Sequence, residues 1–335
     1  MSTDSSANNT IDLFPDLEIS LSRSARFWII LFLDIPSVIC SLCLIIHIII
    51  DRTQRHSLYN HTIFLILIVN LPVQLLDTGL YLSVIRNGLV QPSLPIVCLL
   101  WLLADYCFYC MGVILLTWLA IERHILIFYD QWVTNQRGRF LFHYLPLILI
   151  IFYVCLFYIV GIFVLPCDNV YDYTSLYCDV GPCLESYKFI NLWETNFNYC
   201  CPVIIETVAS ISLLLRVQWQ KRRLRRSNQW RKQRRMIMQL GLVSGINTVM
   251  NLPLYIVFIA RSCGLATQSS TEAKIWFDFL SYGIVFFFPF ASLCQFPILR
   301  KQITKTLTCI VARPSLPHRL LTISSAKVMP RNNPV

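Results

Sequence analysis

The stretch "TWLAIERHILIF" sets an acid and a base side by side, Glu122 and Arg123, inside a run that is otherwise almost wholly apolar. Four more carboxylates, Asp34, Asp77, Asp105 and Glu206, lie in equally apolar surroundings. In hydrocarbon each such charge costs about 2.5–3.5 kcal/mol on insertion scales, so groups of this kind face protein, water or the membrane boundary. There they pair with cations, carry protons or hydrogen-bond between helices. No pattern that marks an enzyme accompanies them: no catalytic triad, no aspartyl-protease motif, and His only at 47, 56, 61, 124, 143 and 318 without metal-ligand spacing. These His are expected to be interfacial or solvent-facing and to do no chemistry. Neither a metal nor a cofactor is expected.

The elements that must position the charged groups follow from composition. Hydrophobic residues make up 56% of the chain, charged residues only 14%, and mean hydropathy is +0.59, far from a soluble balance. Crossing a hydrocarbon core takes roughly 20 apolar residues. Runs of that length lie near 27–50, 61–85, 95–127, 142–165, 192–218, 236–260 and 275–298. The expected fold is therefore an all-α membrane bundle of seven spans. It divides into an outer segment (1–26), the seven-span domain (27–298) and a cytosolic tail (299–335). Prolines at 36, 72, 146, 202, 253 and 289 fall inside the spans, which membrane helices tolerate when neighbours re-satisfy the freed carbonyls.

Orientation follows from the basic residues. With the amino terminus outside, six of the 28 Lys and Arg fall outside and 22 inside, the bias that membrane insertion favours. The polar first 26 residues precede a full-length span rather than a short cleavable one, so the first helix is expected to act as its own insertion signal. "NNT" at Asn8 is then a glycosylation acceptor on the correct side, whereas the sequon at Asn60 faces the cytosol and is silent. The net charge of +10 is concentrated in "RVQWQKRRLRRSNQWRKQRRM" and the tail. That placement suits acidic lipid and a cytosolic protein partner rather than nucleic acid. Of the 14 Cys, five are expected outside, at 98, 167, 178, 183 and 263, where an oxidising compartment favours pairing.

Positions 98 and 123 are 25 residues apart, roughly 37 Å of helix, enough to run from one membrane face to the other. At ~100° per residue Cys98, Asp105, Gly112 and Arg123 share one face of the third helix, which is expected to look into the bundle. A Cys at the top of the third of seven helices, followed 25 residues later by "AIERH", resembles a rhodopsin-like (class A) G-protein-coupled receptor. Asn60 and Asn70 in the second helix, Pro202 in the fifth, "MNLPLY" in the sixth and "FFFPFASLCQFPILR" in the seventh fall in register with that family. The resemblance covers roughly 27–311. It departs from the pattern at Leu42 (usually Asn), Asn70 (Asp), Asn251 (Trp), Phe288 and Ser292 (Asn and Tyr), and Ser210 (Tyr), and the fourth-helix Trp has no counterpart.

The resemblance implies a receptor in the plasma membrane that passes an extracellular signal to a heterotrimeric G protein. Glu122 would restrain Arg123 at rest, and Arg123 would meet the G protein. Gln233 stands where a second acidic lock is common, which raises expected basal signalling. The sodium site of the family is represented by Asn70, Gly112 and Phe288, so sodium dependence is expected to be weak. Asp105 would pair with a positive ligand group, Tyr282 would hydrogen-bond it, and Glu194, Asn198 and Asn251 would complete the ligand site. Amine and basic peptide both remain open. Cys98 would close onto the second outer loop, with Cys178 preferred and Cys183 the alternative. A short eighth helix would follow "ILRKQI", with Cys309 palmitoylated as a second membrane contact. The competing class is an ion- or proton-coupled transporter, which the scattered intramembrane carboxylates keep alive although no inverted repeat is evident.

Overall fold

The computed structural model describes residues 21–164, 171, 173, 178, 187–223, 227–262, 268–297, 299–303 and 305. Seven helices long and apolar enough to cross a membrane follow one another: α1 (Arg23–Ile50), α2 (Leu58–Asn87), α3 (Pro95–Phe128), α4 (Gln136–Val164), α5 (Lys188–Trp219), α6 (Ile237–Ala260) and α7 (Trp276–Leu293). The chain is a multi-pass membrane protein, and no strand occurs among the described residues. Each expected run is matched by one helix. Local signals set the ends. Ser22 Oγ accepts the Ala25 N–H at 3.3 Å and caps α1. Gly88, at φ 74°, takes the left-handed turn that closes α2. Pro95 stands in the first turn of α3, where its missing N–H costs nothing.

Between 28% and 50% of each spanning window is buried within the chain, which leaves the remaining apolar surface for lipid. Helix α1 separates the two faces. Trp28, Phe32, Ile35, Ile39, Leu42 and Ile46 are exposed at three- and four-residue intervals, while Ile30, Asp34, Ser37, Ser41 and Leu44 are buried at the same intervals. Leu42 is thus a lipid-facing residue, and the polar group of α1 that faces the bundle lies one position earlier. Ser41 Oγ donates to Gln74 Oε1 at 3.3 Å, and Gln74 Nε2 donates to Ser37 Oγ at 2.6 Å and to the Val285 carbonyl at 3.4 Å. Gln74 therefore ties α1, α2 and α7 together near mid-span.

The spans are not uniform α-helix. Five π-helical turns interrupt them, at Val73–Asp77, Leu103–Phe108, Phe140–Tyr144, Val160–Val164 and Glu194–Cys200. Three adjoin a proline: Pro72 directly precedes the first, and Pro146 and Pro202 follow the third and fifth by two residues. Proline lacks an N–H and its ring crowds the carbonyl four residues earlier; for Pro146 and Pro202 that carbonyl, of Phe142 and Asn198, lies inside the preceding π turn, where widening relieves it. Four of the five carry buried or half-buried polar groups: Gln74 and Asp77, Asp105, His143, and Glu194 with Asn198. An inserted residue rotates the remainder of the span by about 100° relative to a straight α-helix. Cys98, Gly112 and Arg123 are buried, and Asp105, inside the π turn of α3, is only half-buried.

Contacts divide the chain into Met1–Phe296 and Pro297–Val335. In the second unit the described backbone, at 297, 299–303 and 305, is helical. Asn8, Cys167, Cys183, Cys263 and Cys309 lie outside the described residues, as does the side chain of Gln233.

Candidate functional site

Polar side chains converge at two ends of the bundle. At the first, Cys98 of α3 is joined to Cys178, the pairing preferred from the resemblance. The loop carrying Cys178 is fixed a second time where the Val90 N–H donates to the Tyr173 carbonyl at 2.9 Å. Tyr171 and Tyr173 pack against a core of Tyr81, Trp101, Tyr282 and Phe286, an aromatic corner formed by α1, α2, α3 and α7.

Asp77 lies at the base of that corner, fully buried. Trp101 Nε1 donates to its Oδ1 at 2.8 Å and the Tyr282 hydroxyl donates to the same oxygen at 2.9 Å. This corrects the expected pairing of Tyr282 with Asp105, because Tyr282 gives its hydroxyl to Asp77. Oδ2 of Asp77 has no hydrogen-bond partner among the described residues, and neither has Oδ1 of the buried Asp34. The two carboxylates lie within electrostatic reach of each other.

Behind this corner a polar ladder crosses three spans. The Tyr109 hydroxyl donates to Asn251 Oδ1 at 2.9 Å, Asn251 Nδ2 donates to Asn247 Oδ1 at 2.7 Å, and Asn247 Nδ2 donates to Glu206 Oε2 at 3.2 Å. Ser210 donates to the other Glu206 oxygen at 3.3 Å. Asn251, expected beneath a ligand, is fully buried and serves as a rung between α3 and α6. Glu194 accepts from Tyr158 at 2.8 Å, and Asn198 Oδ1 accepts from Tyr153 at 2.6 Å. Both residues of α5 are therefore joined to α4. Asp105 lies within electrostatic reach of Tyr109. Of the five residues expected to form one ligand site, Tyr282 meets Asp77, Asn251 stands in the ladder, and Glu194 and Asn198 meet tyrosines of α4.

At the second end, Glu122 and Arg123 are both 1% exposed but do not hold each other. Glu122 pairs with His143 Nδ1, and its other oxygen accepts from Thr62 Oγ1 at 2.5 Å. His143 Nε2 meets His61 Nδ1 at 3.0 Å, and His61 Nε2 meets the Arg55 carbonyl at 2.8 Å. Three links running from a carboxylate to a carbonyl need three protons. Two neutral imidazoles supply two, so the chain carries one more, on an imidazole or on Glu122. His143 is fully buried, which departs from the solvent-facing placement expected of the His.

Arg123 instead donates through Nη2 to the Tyr59 carbonyl at 2.9 Å and to Gln295 Oε1 at 3.4 Å, with the guanidinium 5.4 Å from the Tyr59 ring centre. Gln295 Nε2 donates to Asn60 Oδ1 at 3.2 Å, and Asn60 Nδ2 donates to Gln54 Oε1 at 2.9 Å. Asn60 is 2% exposed, so the sequon there is closed to glycosylation by burial as well. Ser292, in place of the family's Tyr, accepts from Gln239 at 3.0 Å and ties α6 to α7. Asn70 lies against Gly112, where an added Cβ would come within 3.1 Å of Asn70 Oδ1, and Phe288 is fully buried.

Sequence reasoning missed the role of His61, His143, Gln74, Trp101 and Tyr81. The polar spacing Asn70, Gln74, Asp77 along α2 was the available signal, since helical intervals of that kind mark an inward stripe. No comparable signal pointed to the two His, which are 82 residues apart. No family model matches the chain, and no curated protein matches it.

Proposed function

We propose that the chain is a divergent rhodopsin-like G-protein-coupled receptor of the plasma membrane, with its amino terminus outside, that converts binding of an extracellular ligand into activation of a heterotrimeric G protein. The observation that carries this is the state of Arg123. A buried guanidinium stands at the end of α3 opposite the disulfide, held by a carbonyl and an amide rather than by an acid, with Nη1 unpartnered among the described residues. Neutral acceptors bind a cation less strongly than a carboxylate does, so Arg123 can be drawn away at lower cost. Release then requires α2 and the end of α7 to part from α3, and the Gln239–Ser292 bond to break if α6 moves outward. Glu122 is engaged elsewhere and acts on α2 and α4.

Glycosylation at Asn8, a short eighth helix and palmitoylation at Cys309 belong to the same proposal, as does basal activity set by the Arg123 contacts. The test is a G-protein activation panel in cells expressing the chain and Arg123→Ala at matched surface density. Basal or ligand-evoked activation that disappears in Arg123→Ala supports the receptor. Silence across the panel together with a cation or proton flux in proteoliposomes selects the second reading, a coupled transporter, which the buried Asp34, Asp77 and Glu206 favour.

A further inference from the structure

Nine buried side-chain nitrogen or oxygen atoms lack a hydrogen-bond partner among the described residues, and four of them belong to three charged residues of one corner: Nε and Nη1 of Arg26, Oδ1 of Asp34 and Oδ2 of Asp77. Arg26 is 2% exposed, Asp34 9% and Asp77 0%. An unpaired charge in such surroundings is costly, and charges of both signs here go unpaired although each could have been cancelled by a neighbour. Arg26 reaches Tyr81 on α2, and Asp77 lies one turn from Tyr81, so the opposite charges flank the same ring. The surrounding surface is the aromatic corner of Tyr81, Trp101, Tyr282 and Phe286, with Tyr81 and Tyr282 at 5.6 Å between ring centres. Rings of this kind favour an ammonium over their faces.

We propose that this corner, beside the Cys98–Cys178 disulfide, is the ligand site, and that it takes a small zwitterion of the ω-amino acid class, with its ammonium on Asp77 and Asp34 and its carboxylate on Arg26. The inference rests on the receptor reading only for the consequence of binding, because the site itself is defined by its unpartnered atoms. It moves the charge contact from Asp105 to Asp77, where one carboxylate oxygen is already fixed by Trp101 and Tyr282 and the other is open. Asp278 of α7 also lies within electrostatic reach of Tyr81, so carboxylates outnumber the guanidinium in the corner. The ammonium is accordingly the principal anchor and the carboxylate of the ligand the selective one.

The test is thermal unfolding of the purified full chain in detergent, titrated with the series from 4-aminobutanoate to 6-aminohexanoate, with n-butylammonium, with butanoate and with NaCl. The expected result is a saturable rise in Tm with at least one ω-amino acid, a weaker rise with n-butylammonium and none with butanoate or NaCl. Asp77→Asn weakens every responding probe by at least about tenfold, as loss of a charged hydrogen-bond partner does. Arg26→Gln weakens the ω-amino acids by about tenfold and leaves n-butylammonium unchanged. Asp105→Asn changes neither. If Asp77→Asn does not fold, Asp34→Asn must weaken the ammonium-bearing probes instead. A response to NaCl equal to that of the organic probes overturns the organic ligand in favour of an inorganic cation. A response lost in Asp105→Asn and kept in Asp77→Asn overturns the site. No response to any probe overturns it as well. Binding without G-protein activation refutes the receptor and leaves the site standing, whereas activation that needs Arg123 but ignores Asp77→Asn refutes the site and leaves the receptor.

Discussion

Glu122 and Asp77 are both carboxylates buried among spans, yet their oxygens are treated differently. Glu122 has both oxygens occupied, one by Thr62 and one by His143, and through His143 and His61 it is wired to the backbone of the Arg52–Arg55 turn. Asp77 has two donors on one oxygen and none on the other. A carboxylate with a partner on each oxygen fastens its helices. One with an open oxygen inside an apolar corner is held short of its best state, and an added positive group would bring it there. The two carboxylates therefore divide the work: Glu122 fastens helices, and Asp77 is incomplete.

The sharpest way to break this comparison is to remove each acid. Glu122→Ala strands His143 and Thr62 in the interior and is expected to destabilise the folded chain by about 1–3 kcal/mol for each of these buried groups left without its partner. Thermal unfolding in detergent reads this directly, and an unchanged Tm would contradict the wiring. Cys98→Ser comes next, at about 2–5 kcal/mol, with nonreducing peptide mapping of the parent chain to verify that Cys98 and Cys178 are joined. A third substitution, Asp77→Asn, is expected to act in the opposite direction when no ligand is present. Neutralising a partly unpaired buried charge is neutral to stabilising, so a Tm loss as large as that of Glu122→Ala would erase the distinction between the two ends. The smallest effects test the rotation of α1. Ser41→Ala is expected to cost about 0.6 kcal/mol, the mean for hydrogen bonds between membrane helices, and Leu42→Ala, on the lipid face, to cost less than that. The reverse order would place Leu42 in the bundle.

The spans are legible in the sequence because hydropathy over some twenty residues reports a helix's environment without reference to its neighbours. The partner of Cys98 is legible only through the family resemblance, and there Cys183 stands beside Cys178 as an alternative. Beyond the reach of hydropathy lies the rotation of each helix. Ser41 and Leu42 differ by one position and so by ~100°, and only the contact with Gln74 decides which of them faces the bundle. The π turns compound the difficulty. Counting α-helical turns assumes a regular helix, and the widened turn at Leu103–Phe108 interrupts it at Asp105. His143 and His61 meet only after α2 and α4 have been packed, and Tyr282 reaches Asp77 across 205 residues.

The π turns also amount to slack in the chain. Each holds one residue more than an α-helical turn of the same length requires, so a single deletion inside one can be absorbed by tightening it, without turning the rest of the span. Val160–Val164, which carries no polar group, is where such a deletion would pass with least effect. The same deletion in the π-free stretch Tyr109–Phe128 would swing Glu122 and Arg123 about a quarter-turn away from Thr62, His143 and Tyr59. Length variation in this molecule is therefore tolerated at its widened turns and forbidden between them.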